Sequence, residues 1–125
     1  MAKILVVDDS EELCDLFHLL LSMKGYECET VHTKSKLHNT MTAFVPDLII
    51  LDVTVNGIDG RELCKEIRLN NQHKHIPIIL ASTNPKMLEE YNGCDADGTI
   101  EKPFAINYVI QKIEELLPEA HKTAQ

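Results

Sequence analysis

Asp8, Asp9, Asp52, Ser82 and Lys102 are the residues of this chain whose types and placement could do chemistry together. Each stands at, or just past, the end of a short run. Ile4-Leu5-Val6-Val7 leads into Asp8-Asp9, Leu48-Ile49-Ile50-Leu51 into Asp52, Ile78-Ile79-Leu80-Ala81 into Ser82-Thr83, and Thr99-Ile100-Glu101 into Lys102-Pro103. Carboxylates crowded into one crevice raise one another's pKa unless a cation neutralises them. Magnesium suits that task, because it takes oxygen ligands and is usually held by one or two carboxylates plus a phosphate. A remaining carboxylate oxygen is then free to attack phosphorus. A hydroxyl and an ammonium group, Ser82 and Lys102, can take up the other phosphoryl oxygens by electrostatic positioning. Taken singly, each residue has a plainer role: Asp8-Asp9 as a helix cap, Asp52 in a solvated turn, Ser82 bonded to backbone, Lys102-Pro103 as a turn. Recurrence at the same end of successive runs favours one shared site, because open α/β sheets bind ligands at the carboxyl edge of their strands.

Positioning these residues requires parallel strands. The expected strands are Lys3–Val7, Glu27–Val31, Leu48–Leu51, Ile76–Ala81 and Gly98–Ile100. The first, third and fourth are apolar without alternation, as strands covered by helices on both faces are. Helical patterns lie between them. Leu13, Leu16, Phe17, Leu20 and Leu21 follow Ser10-Glu11-Glu12, a capping residue with an acidic first turn, and Gly25 ends that helix. The second helix, Thr33–Phe44, has a thin pattern. The third follows Asp59-Gly60 through Leu63 and Ile67, and the fourth, Asn84–Asn92, is short. Ile106, Val109, Ile110, Ile113, Leu116 and Leu117 form an amphipathic last helix, stopped by Pro118. Alternation of strand and helix predicts an α/β fold, a doubly wound parallel sheet with helices on both faces. Residues 1–117 make one domain, and 118–125 are a polar tail or the start of a linker.

The bulk composition narrows the partners. The 125 residues are 44% apolar and 26% charged, enough for one real core and unlike a disordered chain. A net charge of −8 repels phosphate, so no nucleic acid is expected to bind the domain itself. There is no basic block for a membrane surface, no apolar run of spanning length and no signal-peptide layout after Met1, which points to the cytoplasm. Cys14, Cys28, Cys64 and Cys94 are scattered and read as packing residues. His73-Lys74-His75 reads as a solvated loop.

Together these motifs resemble the receiver domains of bacterial two-component response regulators. The resemblance covers Ala2 to Leu117. It rests on Val6-Val7-Asp8-Asp9-Ser10, on Pro46-Asp47-Leu48-Ile49-Ile50-Leu51-Asp52 followed by Asp59-Gly60, on Ile76-Pro77-Ile78-Ile79 leading to Ser82, and on Lys102-Pro103-Phe104. It implies a flavodoxin-like five-stranded sheet of order 2-1-3-4-5. It implies that Asp52 accepts a phosphoryl group from the phosphohistidine of a sensor histidine kinase or histidine phosphotransfer protein. No separate substrate is turned over, and the only catalysis is magnesium-dependent phosphorylation and dephosphorylation of Asp52 itself. Asp9 would bind Mg2+ directly, Asp8 through water, and Thr54 through its backbone carbonyl. Ser82 and Lys102 would contact the phosphoryl group. The signal would pass by conformational change to a downstream partner or output domain, from a monomer or a phosphorylation-dependent dimer.

The chain departs from the family pattern in places. Proline is usual four past the acceptor, and Asn56 stands there, followed by Gly57, which predicts a looser turn. Thr83 replaces a very small residue after the hydroxyl. Thr99 occupies the switch position, where Tyr or Phe is usual, and the stretch from Ser82 to Lys102 is short. The missing switch aromatic is what an alternative reading rests on, a receiver-like binding module that works without phosphorylation. A small phosphohydrolase using the same acids would need a second domain or long insertion to enclose its substrate.

Overall fold

A computed structural model of the chain describes residues 2–89 and 94–117. The element order is β1 (Lys3–Val7), α1 (Glu11–Met23), β2 (Glu27–Val31), α2 (Lys34–Phe44), β3 (Leu48–Asp52), β4 (Thr54–Val55), β5 (Ile58–Asp59), α3 (Gly60–Leu69), β6 (Ile78–Ser82), α4 (Pro85–Glu89), β7 (Gly98–Glu101) and α5 (Ile106–Leu116). Five parallel strands form one sheet in the order β2-β1-β3-β6-β7, which is 2-1-3-4-5 when only the sheet's own strands are counted. Residues 90–92 of the expected fourth helix and the tail 118–125 lie outside the described residues.

The apolar runs are continuous because both faces of the sheet are covered. Leu5, Val7, Ile49, Leu51, Ile78 and Leu80 point to one layer, against Leu37 and Met41 of α2, Leu63 and Ile67 of α3 and Leu88 of α4. Their neighbours Ile4, Val6, Leu48, Ile50, Ile79 and Ile100 point to the other, against Phe17 and Leu21 of α1 and Val109 and Ile113 of α5. Full burial of each such side chain contributes roughly 1.5–3 kcal/mol. The central strands are therefore held rigidly, and so are the residues that leave their carboxyl ends.

The helix ends follow the sequence signals. The Ser10 side chain caps α1 by accepting from the Leu13 N–H, and Gly25 leaves the helix at φ +91°, a conformation glycine takes without strain. The strand expected to begin at Ile76 begins at Ile78, because Pro77 has no N–H to give to a ladder. His73 does not sit in solvent as expected. The turn after α3 folds its ring inward, leaving Lys74 and His75 exposed. The His73 side chain is buried beside a cavity of about 170 Å³ between α2 and α3, lined also by Leu37, Met41 and Ile67. All four cysteines are buried, as packing residues are, and burial pushes the thiols of Cys14, Cys28 and Cys64 up to about 12.

Candidate functional site

Strand register does most of the assembly. Val7 lies opposite Leu51, Asp52 opposite Ala81, and Ser82 opposite Glu101. One step along β1 from Val7 brings Asp8 level with Asp52. One step beyond Glu101 brings Lys102 up beside Ser82. Asp8 is buried, Asp52 is half-buried and Asp9 is exposed at the mouth. Carboxylate oxygens of all three lie within 4.8 Å of one another.

Lys102 is the countercharge inside this group. Its Nζ lies 2.7 Å from Asp8 Oδ2 and 3.0 Å from Asp52 Oδ1. Asp8 Oδ1 accepts the Ser10 N–H at 3.0 Å, so both oxygens of that carboxylate are held. Burial pushes the Asp52 carboxyl above its usual range. The Lys102 hydrogen bond pulls it back, and the charges of Asp8 and Asp9 push it up again. Burial alone would lower the Lys102 pKa, but its hydrogen bonds to Asp8 and Asp52 outweigh that and hold it above the ordinary lysine value. The ammonium is therefore fixed as a cation between two carboxylates. Three carboxylates against one ammonium leave negative charge in the crevice, and the donors are all oxygen, which fits a hard divalent cation.

Ser82 and Lys102 are tied to each other through the backbone. The Lys102 N–H donates to the Ser82 carbonyl at 2.8 Å, and the buried Ser82 Oγ accepts the Asn84 N–H at 3.0 Å. Beyond Lys102, the Phe104 ring stacks on Phe17 of α1 with centroids 5.1 Å apart, anchoring the loop that carries the lysine. Gly60 packs against the backbone at the end of β3. A Cβ there would run into the backbone carbonyl of Asp52, and the Gly60 N–H donates to the Val53 carbonyl. The sequence marks Asp59-Gly60 as a helix start and as part of the receiver motif, and Asp59 does cap α3 by accepting the Arg61 N–H at 2.9 Å. The tight approach of Gly60 to Asp52 was not visible there.

The other expected residues lie on β4 and β7. Thr54 opens β4 and pairs with Asp59. Thr99 lies on β7 opposite Leu80, half-buried in the sheet. The turn after Asp52 is not loose. Asn56 and Gly57, at φ 50° and 78°, are the two central residues of a tight hairpin whose pairs are Val55 with Ile58 and Thr54 with Asp59. The Asn56 N–H donates to Asp9 Oδ2 at 2.8 Å, and its side-chain Nδ2 donates to the His32 carbonyl at 2.8 Å. Asn-Gly between Val55 and Ile58 is the sequence signal that would have found this hairpin.

Comparison with known proteins agrees with this fold. Residues 4–114 match the family described as the response regulator receiver domain. The nisin biosynthesis regulatory protein NisR of Lactococcus lactis is 36% identical over 90% of this chain and 48% of its own length. The phosphate regulon transcriptional regulatory protein PhoB of Rhizobium meliloti is 30% identical over 96% of this chain and 54% of its own. The chain thus spans about half the length of these curated relatives. Among solved structures, chemotaxis protein CheY4 of Vibrio cholerae superposes with a TM-score of 0.84 at 32% identity, covering 94% of this chain and 99% of that one. A family match that runs from β1 into α5, backed by relatives at 30% identity and above over nine-tenths of the sequence, makes this chain a member of the response regulator receiver domain family.

Proposed function

We propose that Asp52 is the phosphoacceptor, that Asp8, Asp9 and Asp52 with the Thr54 carbonyl hold Mg2+, and that Ser82 and Lys102 bind the phosphoryl oxygens. The observation that supports this best is Lys102 Nζ bridging Asp8 and Asp52 at 2.7 and 3.0 Å, a countercharge already aimed at the acceptor. The donor is the phosphohistidine of a histidine kinase or phosphotransfer protein. A carboxylate oxygen of Asp52 forms the new O–P bond as the P–N bond breaks, and the imidazole leaves with that electron pair. Magnesium, when bound, supplies countercharge to the phosphoryl oxygens as they approach three carboxylates. Lys102 needs only to exchange its Asp52 contact for a phosphoryl oxygen, while its bond to Asp8 keeps the ammonium in place. Asp52 is modified and no separate substrate is turned over.

The downstream effect runs through the loop after β6. The Ser82 hydroxyl is held by the Asn84 N–H, one residue before α4. Drawing that hydroxyl toward a phosphoryl group pulls on Asn84 and α4. Thr99 is too small to act as an aromatic lever, so displacement of this backbone carries the signal to a partner or to an output domain such as the longer relatives have room for. We place the domain in the cytoplasm, where buried thiols such as those of Cys14, Cys28 and Cys64 are at home. Among the described residues no helix is long and apolar enough to cross a membrane.

Incubation with acetyl phosphate or phosphoramidate and Mg2+ tests this. Intact-mass spectra should show one added phosphoryl group, labile and absent in Asp52→Asn. No adduct in the wild type would leave a phosphorylation-independent binding module as the better account.

A further inference from the structure

The residue four past Asp52 does something here that the proline usual in the family cannot do. A proline nitrogen has no hydrogen to donate. The Asn56 N–H donates to Asp9 Oδ2 at 2.8 Å. Two features hold it there. The hairpin turn puts Asn56 at φ 50° and Gly57 at 78°, a left-handed pair that asparagine and glycine adopt more readily than other residues. The side-chain Nδ2 also reaches across to the His32 carbonyl at 2.8 Å, and the His32 ring Nδ1 lies 3.2 Å from the Asp8 carbonyl. One residue therefore ties the loops that follow β1, β2 and β3 at the carboxyl edge of the sheet.

We infer that Asn56 is a positioning residue for the cation ligand Asp9, fixing its carboxylate before the cation arrives. The inference rests on the proposal that Asp8, Asp9 and Asp52 hold Mg2+. Asp9 is exposed, and an exposed carboxylate samples several rotamers. A donor on Oδ2 removes that freedom and leaves Oδ1 for the metal. Partners behind a metal ligand orient it and raise affinity in this way. Asn56 bonds Asp9 and His32, so its effect belongs to cation binding and not to the transfer step.

The test uses the full chain as wild type, Asn56→Ala and Asn56→Gly. Calorimetric titration with magnesium chloride gives the Kd, and phosphorylation by acetyl phosphate at varied Mg2+ gives the half-saturating concentration and maximal rate. Asn56→Ala loses the His32 contact and disfavours the positive φ, so its Kd should rise about five- to tenfold. Asn56→Gly keeps the N–H and the turn but loses the side-chain contact, so its Kd should rise only about two- to threefold. In both, the half-saturating Mg2+ should rise by more than the maximal rate falls. Far-ultraviolet circular dichroism in EDTA checks the fold of each variant, and the glycine variant retains the turn if the alanine variant does not. Wild-type affinity in both variants, or a fall in maximal rate with unchanged half-saturation, overturns the role given to Asn56. A wild type that takes up no Mg2+ overturns the metal site itself.

Discussion

Replacing Lys102 by methionine should destabilise the metal-free protein by about 3 kcal/mol, the low end of the cost of breaking a buried ion pair. The geometry sets that scale. Nζ lies 2.7 Å from Asp8 and 3.0 Å from Asp52, and the three side chains are 14%, 4% and 12% exposed. At an effective dielectric of about 20 each contact is worth roughly 6 kcal/mol before desolvation, which offsets much of it. Methionine keeps the aliphatic bulk of the lysine stem, so the loss reports the charge. Unfolding entropy of roughly 2.1 cal/mol/K per residue turns about 3 kcal/mol into a fall of about 11 °C in Tm for a chain this long. Thermal melts in EDTA read this directly. Added Mg2+ should raise the Tm of Lys102→Met more than that of the wild type, because the cation replaces the missing positive charge. Adding Asp52→Asn to Lys102→Met should recover part of the loss, by removing a charge that had lost its partner. The hydrogen bonds hold the Lys102 pKa up, so its contribution is complete below the ordinary lysine value of 10.5 and is lost only as pH rises through the higher folded value. A Lys102→Met protein that melts with the wild type in EDTA and gains nothing extra from Mg2+ would refute this account of the site's electrostatics.

Three further outcomes are expected. The Asp52 pKa is raised in the folded state, so the folded form holds the proton better, and metal-free stability should fall as pH rises from about 3.8 through the folded value. The stability of Asp52→Asn relative to wild type in urea should therefore climb over that window and level off above the folded value; a pH-independent difference would count against it. Gly60→Ala should cost about 1–3 kcal/mol and lower Mg2+ affinity together, because the new methyl group pushes on the Asp52 carbonyl; wild-type stability would show that the backbone there gives way freely. Hydrogen exchange with beryllofluoride and Mg2+ should change most from Ser82 to Glu89 and less at Thr99, whereas changes confined to the loop at Asp52 and Thr54 would rule out the route through α4.

The sheet and its acids were legible because a strand buried on both faces announces itself as a continuous apolar run, and the candidate site residues stand where those runs stop. Leu48–Leu51 before Asp52 and Ile4–Val7 before Asp8 are such cases. Register then converts sequence position into spatial level, as Val7 beside Leu51 does for Asp8 and Asp52. What stayed hidden depends on contacts between segments far apart in the chain. Asn56 reads as an absent proline until the fold shows its N–H on Asp9, 47 residues away. The need for glycine at position 60 comes from the Asp52 backbone against which α3 starts. His73 lies in a polar stretch, and only the packing of α2 beside α3 explains why its ring turns inward.

The central claim is that Asp52 carries the phosphoryl group, and reductive trapping tests it most directly. The protein is phosphorylated with acetyl phosphate and Mg2+ and treated with borohydride, which reduces an acyl phosphate at the modified side chain to the alcohol, and its peptides are then mapped by mass. The peptide containing Asp52 should carry homoserine at that position, and peptides containing Asp8 or Asp9 should be unchanged. Homoserine at Asp8 or Asp9 instead, or at no aspartate in a protein shown to bind Mg2+, would contradict the assignment.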